Sequence, residues 1–208
     1  MDLGHPLAIV TPTLDGDVLA VLAHADHAFT TGQLHRMLGA FSEDGIRKVL
    51  MRLAGQGIVR AERIGNAYSY RLNRDHLGAQ PIIELANLRQ TLLDRVEQEI
   101  TIWLEPALYG AMFGSAARGD MHQESDVDLL LVRRDDADED TWDSQVLALS
   151  ARVTAWTGND TRVLVLTESH VHEADGSEPV LESVRREGLT VAGSRAWLQK
   201  ALSRRARR

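Results

Sequence analysis

Two short stretches hold the residues best suited to chemistry. They are Phe113-Gly114-Ser115-Ala116-Ala117-Arg118-Gly119-Asp120 and Ser125-Asp126-Val127-Asp128-Leu129-Leu130. The second reads as the start of an apolar strand. Residues two apart in a strand face the same side, so Asp126 and Asp128 aim both carboxylates at one point. Carboxylates so placed repel each other unless a cation lies between them, and oxygen ligands in this arrangement suit Mg²⁺ carrying triphosphate oxygens. Gly114 lets the backbone approach a phosphate closely, and the Ser115 hydroxyl and neighbouring N–H groups are donors for it. Alone, Asp-x-Asp is common in surface strands and Gly-Ser is commoner still. Their order and spacing together carry the signal.

The elements around these residues read as α/β. Short apolar runs at Leu108–Phe113, Val127–Val132 and Arg162–Leu166 are expected strands, and Thr141–Ala155 is an expected amphipathic helix. Gly114-Ser115, then Arg118-Gly119, then Ser125-Asp126-x-Asp128 ahead of an apolar strand resembles the signature of minimal nucleotidyltransferases of the DNA polymerase β superfamily. The resemblance runs over about residues 90–193 and is concentrated in 113–132. It implies a mixed sheet with flanking helices and transfer of a nucleoside monophosphate from an NTP with release of pyrophosphate. In that reading Asp126 and Asp128 are the catalytic residues and hold Mg²⁺, while Gly114, Ser115 and Arg118 bind the nucleotide. It also implies a third carboxylate on a later strand to help activate the acceptor. Here the expected strand, Thr161–Thr167, has Val or Leu where an inward Asp belongs; Asp160 precedes it and Glu168 follows it as the candidates for that role.

The chain is 208 residues long, 44% apolar and 25% charged, which is ordinary globular composition and room for one or two domains. No apolar stretch is long enough to span a bilayer, no basic-then-apolar leader opens the chain, and there is no cysteine, so no thiolate metal site or Cys nucleophile exists. A cytoplasmic protein without a membrane partner is the expectation. The net charge of −7 is uneven. Residues 1–77 hold 8 Arg/Lys against 8 Asp/Glu, whereas residues 78–208 hold 15 against 22. Within residues 42–74 seven basic residues (Arg47, Lys48, Arg52, Arg60, Arg63, Arg71, Arg74) face three acidic ones, a balance that suits a polyanion.

That first part predicts three helices and a hairpin. Val18, Leu19, Leu22 and Ala23 form one helical stripe; Thr30 and Gln33 have capping-box spacing ahead of Leu34, Met37 and Leu38; Ser42 can cap a helix with the stripe Ile46, Val49, Leu50 and Leu53. Two β-rich runs, Ile58–Ile64 and Ala67–Leu72, flank Gly65-Asn66, a pair suited to positive φ in a tight turn. Over residues 15–77 this order resembles the winged helix-turn-helix of bacterial MarR- and ArsR-type regulators. The resemblance implies double-stranded DNA as partner, with Ser42, Asp44, Gly45, Arg47, Lys48 and Arg52 on the recognition helix and Arg63, Asn66 and Tyr68 on the wing. Winged helices also serve as protein-interaction modules.

Between the two parts, Ile82, Leu85, Leu88, Leu92, Val96, Ile100 and Trp103 recur every three or four residues after Pro81, which predicts a single connecting helix of about six turns. Its first half is an expected surface for a homodimer. The domain reading is therefore 1–77, 78–107 and 108–208. The acidic run Asp135–Asp143 reads as a solvated loop and helix start, His24/His27 and His170/His172 lack metal-ligand spacing, and Trp142, Trp156 and Trp197 read as core. The basic tail Ser203–Arg208 reads as a disordered terminus that adds only non-specific affinity for DNA phosphates. Two functions are carried forward. One is a DNA-binding transcriptional regulator whose second domain binds Mg²⁺ with an NTP; the alternative is a nucleotidyltransferase or antitoxin-type module that uses the winged helix to hold its target.

Overall fold

The computed structural model describes residues 1–122, 124–174 and 178–203, so the basic tail at 204–208 lies outside the described residues. The chain divides into two compact units. One comprises Asp2 and Gly4–Arg89; the other comprises Met1, Leu3 and the described residues of Gln90–Arg208.

In the first unit a 3-10 turn at Pro6–Ile9 leads into α1 (Leu14–Ala23), β1 (Phe29–Thr30), α2 (Thr31–Met37) and α3 (Glu43–Gly55). The strands β2 (Val59–Ile64) and β3 (Ala67–Leu72) and the helix α4 (Ala79–Ala86) follow. The expected capping box is formed: the Gln33 N–H donates to the Thr30 hydroxyl at 3.3 Å, and the Thr30 N–H donates to Gln33 Oε1 at 2.7 Å. Ser42 caps α3 by accepting from the Gly45 N–H at 3.1 Å. Replacing such a cap by Ala typically costs about 1 kcal/mol. The three helices meet through Val18, Leu22, Leu34, Ile46, Leu50 and Leu53, all essentially without solvent contact. Burying one such side chain contributes about 1.5–3 kcal/mol. β2 and β3 pair antiparallel from Val59↔Leu72 to Ile64↔Ala67, and of the two turn residues only Gly65 takes a positive φ, 59°. β1, absent from the sequence reading, adds two residues to the free side of β3 through Phe29↔Tyr70.

The single connecting helix is not observed. α4 begins at Ala79, ahead of Pro81, and ends at Ala86 with Asn87 as its cap; α5 (Leu88–Thr101) starts at the residue after that cap. The Asn87 side-chain amide donates to the Ile83 carbonyl at 2.9 Å, a local bond that competes with helix continuation. The apolar stripe is also shared out. Ala79, Ile82, Ile83, Leu85 and Ala86 pack into the core of the first unit, whereas Leu92, Val96 and Ile100 pack into that of the second. The first half of the stripe thus packs, in part, against the core of its own unit.

After α5 come β4 (Tyr109–Phe113), α6 (Gly114–Arg118), β5 (Val127–Arg133), α7 (Glu139–Thr157), β6 (Thr161–Thr167), α8 (Glu168–Glu173), α9 (Pro179–Glu187), β7 (Leu189–Ala192) and α10 (Arg195–Ser203). The sheet order is β6-β5-β4-β7, with β5 parallel to β6 and antiparallel to β4. This is the expected mixed α/β unit. Alternate residues of β5 serve opposite faces. Val127, Leu129 and Leu131 pack with Leu92, Val96, Trp142, Leu149 and Val153; Leu130 and Val132 pack with Leu166, Val171, Leu181, Val184 and Leu198. Trp142 meets Trp103 edge-on at 5.3 Å and Trp197 stacks on Tyr109 at 6.1 Å, so both act in packing as expected. Among the described residues no helix is long and apolar enough to cross a membrane.

Candidate functional site

Phe113 at the end of β4 lies opposite Asp128 on β5. The chain leaves β4 through Gly114 with φ at 68°, and a Cβ placed there would lie 2.7 Å from Asp128 Oδ2. Glycine is therefore required twice, for the left-handed backbone and for the close approach. The backbone between Phe113 and Ser115 is held directly against the Asp128 carboxylate. Ser115 follows, half-buried, in the single turn of α6, which closes at Gly119 in the left-handed region.

The loop into β5 is pinned from two sides. The His122 N–H donates to the Ser125 hydroxyl at 3.0 Å, and the side-chain amide of buried Asn159 donates to the Ser125 carbonyl at 2.9 Å. The Val127 N–H then donates to the Asp160 carbonyl at 2.8 Å. Asp126 and Asp128 thus enter the strand face together. Burial pushes the Asp128 carboxyl above its ordinary value and the Asp126 charge adds to the shift, while Arg162 and Arg118 oppose it.

Among the described residues neither Asp160 nor Glu168 is gathered with the aspartate pair into a group of three that could hold a metal. Parallel pairing sets Arg162 of β6 level with Asp128, on the same strand face, and its guanidinium forms an ion pair with Asp126 Oδ2 at 2.8 Å. The residue that meets the carboxylate pair is therefore an arginine, and not the Val or Leu read from the sequence. Glu168 lies at the far end of β6, about 20 Å further along at ~3.3 Å per residue. Asp160 precedes the strand and is exposed, and neither acid is among the charges that shift Asp128. Among the described residues no group of three or more His, Asp or Glu side chains is gathered as a metal would require. The one signal that could have found Arg162 was a lone charge in an otherwise uncharged strand.

Arg118 stands beside this site but is engaged elsewhere. Its Nε donates to Asp120 at 3.0 Å and its Nη1 to Glu187 of α9 at 2.8 Å. Glu187 also accepts from the Ser183 hydroxyl, and these bonds hold its carboxyl below the usual range, Ser183 first and Arg118 next.

The basic residues of the first unit are largely paired with acids of the same unit. Asp44 takes Arg47 at 2.5 Å and Lys48 at 2.8 Å, and these bonds, Lys48 foremost, lower its pKa. Arg52 contacts Asp15, Arg60 pairs with Asp75, Arg71 with Glu62 and Arg74 with Asp26. Arg63 donates to the Gly65 carbonyl, and Asn66 and Tyr68 are exposed at the hairpin tip. Asp138 caps α7 through the Thr141 N–H, Asp136 pairs with Arg134, and His24 bonds the Ala20 carbonyl.

Residues 109–188 match the nucleotidyltransferase domain family, the stretch that begins at β4 and ends just past α9. No curated protein matches the chain at a comparable level. Solved structures with a similar fold include a toxin-antitoxin crystallised with AMP-PNP, at 15% identity and TM-score 0.40, covering 55% of this chain and 84% of that one. A tri-AMPylated Shewanella oneidensis HEPN toxin in complex with MNT antitoxin gives 13% identity and TM-score 0.38, covering 57% and 84%. The toxin-antitoxin MntA-HepT gives 13% and 0.37 over the same shares.

Proposed function

We propose that the second unit binds a nucleoside triphosphate with a divalent cation and transfers the nucleoside monophosphate to an acceptor hydroxyl. The observation that carries this reading is the Gly114 backbone held against Asp128, within a segment that matches the nucleotidyltransferase domain. The donor set fits a cation: two carboxylates on one strand face, one of them driven above its ordinary pKa by burial and by the other. Mg²⁺ is commonly held by one or two carboxylates with substrate phosphates completing its shell. Asp126 and Asp128 would hold it, and it would neutralise charge on the phosphates as pyrophosphate leaves. The Ser115 hydroxyl and the N–H groups after Gly114 donate to the terminal phosphate oxygens. Arg118, released from Asp120, reaches the same oxygens. Phosphoryl transfer through a loose transition state draws mostly on positioning and charge. The acceptor oxygen bonds the α-phosphorus, the α–β bridging bond breaks, pyrophosphate carries off the electron pair and the hydroxyl proton passes to solvent. In this reading the first unit holds the target.

The test is thermal unfolding with Mg²⁺ and each of the four NTPs, for the native chain and for Asp126→Asn/Asp128→Asn. A shift with at least one NTP, lost in the double variant, is expected; no shift with any of them overturns the reading. Label transfer from the α-phosphate of the stabilising NTP then identifies the acceptor class.

A second reading rests on the exposed face of α3 and the protruding hairpin: the first unit binds double-stranded DNA and the protein acts as a regulator. Exposed ion pairs contribute only about 0.2–1 kcal/mol, so Arg47 and Lys48 can exchange Asp44 for phosphates at little cost. A two-fold pair of chains would then address two half-sites about one helical turn apart.

A further inference from the structure

Arg162 is the charge that the nucleotide site itself supplies. It sits level with Asp128 on the neighbouring strand, its guanidinium is 2.8 Å from Asp126 Oδ2, and three-quarters of its side chain remains exposed to solvent. Nothing else in the described residues neutralises Asp126 at this range. Asp128, in contrast, has Gly114 against it and, among the described residues, no direct ion pair. The two carboxylates are therefore unequal: Asp126 has a guanidinium against one of its oxygens and Asp128 has none at that range.

We propose that Arg162 takes the place of a second divalent ion, so that this site loads one divalent ion with its nucleotide and not two. The inference rests on the nucleotide-binding reading above. A two-metal site sets its ions about 3.5–4 Å apart and needs carboxylates enough to share between them. Here only two carboxylates converge, with no third His, Asp or Glu gathered beside them among the described residues. Mg²⁺ and Mn²⁺ are hard cations that favour a full oxygen shell, and a second ion would find Asp126 already bonded and a guanidinium positive charge within contact range. Arginine keeps that charge at every accessible pH, so the exclusion does not titrate. A planar guanidinium also offers further N–H donors on the side away from Asp126, suited to a phosphate oxygen. The single ion settles between the two carboxylates and the triphosphate, with Arg162 held against Asp126 Oδ2.

The number of ions is read directly by electron paramagnetic resonance of Mn²⁺ in the presence of ATP, repeated with the other three NTPs, on the full chain. The native protein is expected to show one bound Mn²⁺ per chain with the spectrum of an isolated ion. Arg162→Asp, which supplies a carboxylate where the guanidinium stood, is expected to bind two and show exchange coupling between them. Arg162→Lys keeps a charge there and is expected to remain at one. Because Arg162 is exposed, Arg162→Ala serves as a fold control by circular dichroism and is expected to match the native chain. A coupled pair in the native protein, or one isolated ion in Arg162→Asp, overturns the proposal while leaving the nucleotide site in place. No bound Mn²⁺ in the native protein with any NTP overturns the nucleotide-binding reading and this inference with it.

Discussion

The charged groups of the two units are organised in opposite ways. In the first unit, Arg47, Lys48, Arg60 and Arg71 reach acids within a turn of helix or across a hairpin, with roughly half or more of each basic side chain exposed. In the second, Gly114 meets Asp128 because the β4–β5 register brings the two strands level, and only the Arg162 side chain, which reaches Asp126 from β6, is long and solvated. Long, solvated side chains can exchange partners, whereas groups fixed by backbone pairing cannot move without the sheet. A surface of the first kind adapts to a ligand, and a site of the second kind is preorganised for one.

The comparison is broken most severely by removing the fixed groups. Asp126→Asn/Asp128→Asn is expected to abolish stabilisation by Mg²⁺ with an NTP, a loss of about 2.7 kcal/mol at a hundredfold excess over Kd, read by thermal unfolding. Next is Gly114→Ala, which places a Cβ 2.7 Å from Asp128 Oδ2 on a backbone at φ 68°. It is expected to cost about 1–3 kcal/mol of stability in denaturant unfolding and to weaken NTP binding as well. An unaffected Gly114→Ala would mean that the turn relaxes freely and is not preorganised.

A pH series sharpens the contrast further. The folded pKa of Asp128 lies above its unfolded value, so the folded state binds this proton more tightly. The contribution is fully present below the unfolded value and is lost as pH rises through the raised one. Asp128→Asn, in the absence of cation, is therefore expected to raise Tm slightly at pH 7 and not at pH 3. Asp44 runs the other way, being lowered by Lys48 and Arg47, but it is fully solvated and its substitution is expected to leave Tm nearly unchanged across that series.

The smallest effect on stability is expected for Arg47→Ala/Lys48→Ala, within about 1 kcal/mol, because both pairs are exposed. If the first unit holds duplex DNA, the same variant weakens binding to any duplex and reduces the slope of log K against log salt by about 2 in a fluorescence titration. Binding unchanged in both affinity and slope would remove α3 from the interface.

What could be read from the sequence follows the same division. Local signals were legible: the Thr30–Gln33 box, the Ser42 cap, the hairpin at Gly65, and the glycine and paired aspartates of the site. Each depends on residues a few positions apart. Long-range pairing was not legible. β7 is four residues long and joins the sheet beside β4, and β1 is two residues long, so neither shows a period of its own. The Asn87 break was hidden because the apolar spacing continues across it while the two halves face different cores. Arg162 was missed because its meaning depends on the β5–β6 register, which no single stretch of chain encodes.

That register also decides when the site comes into being. β5 and β6 are parallel and joined through α7, and parallel neighbours cannot be linked by a tight turn. During refolding the glycine turn and the aspartates can form early, across the antiparallel β4–β5 pair. Arg162 arrives only after the whole α7 crossover has docked, a non-local step of the kind that slows folding. The charge balance of the site is thus a property of the α7 crossover as a whole: a change that loosens the β5–β6 pairing also parts Arg162 from Asp126.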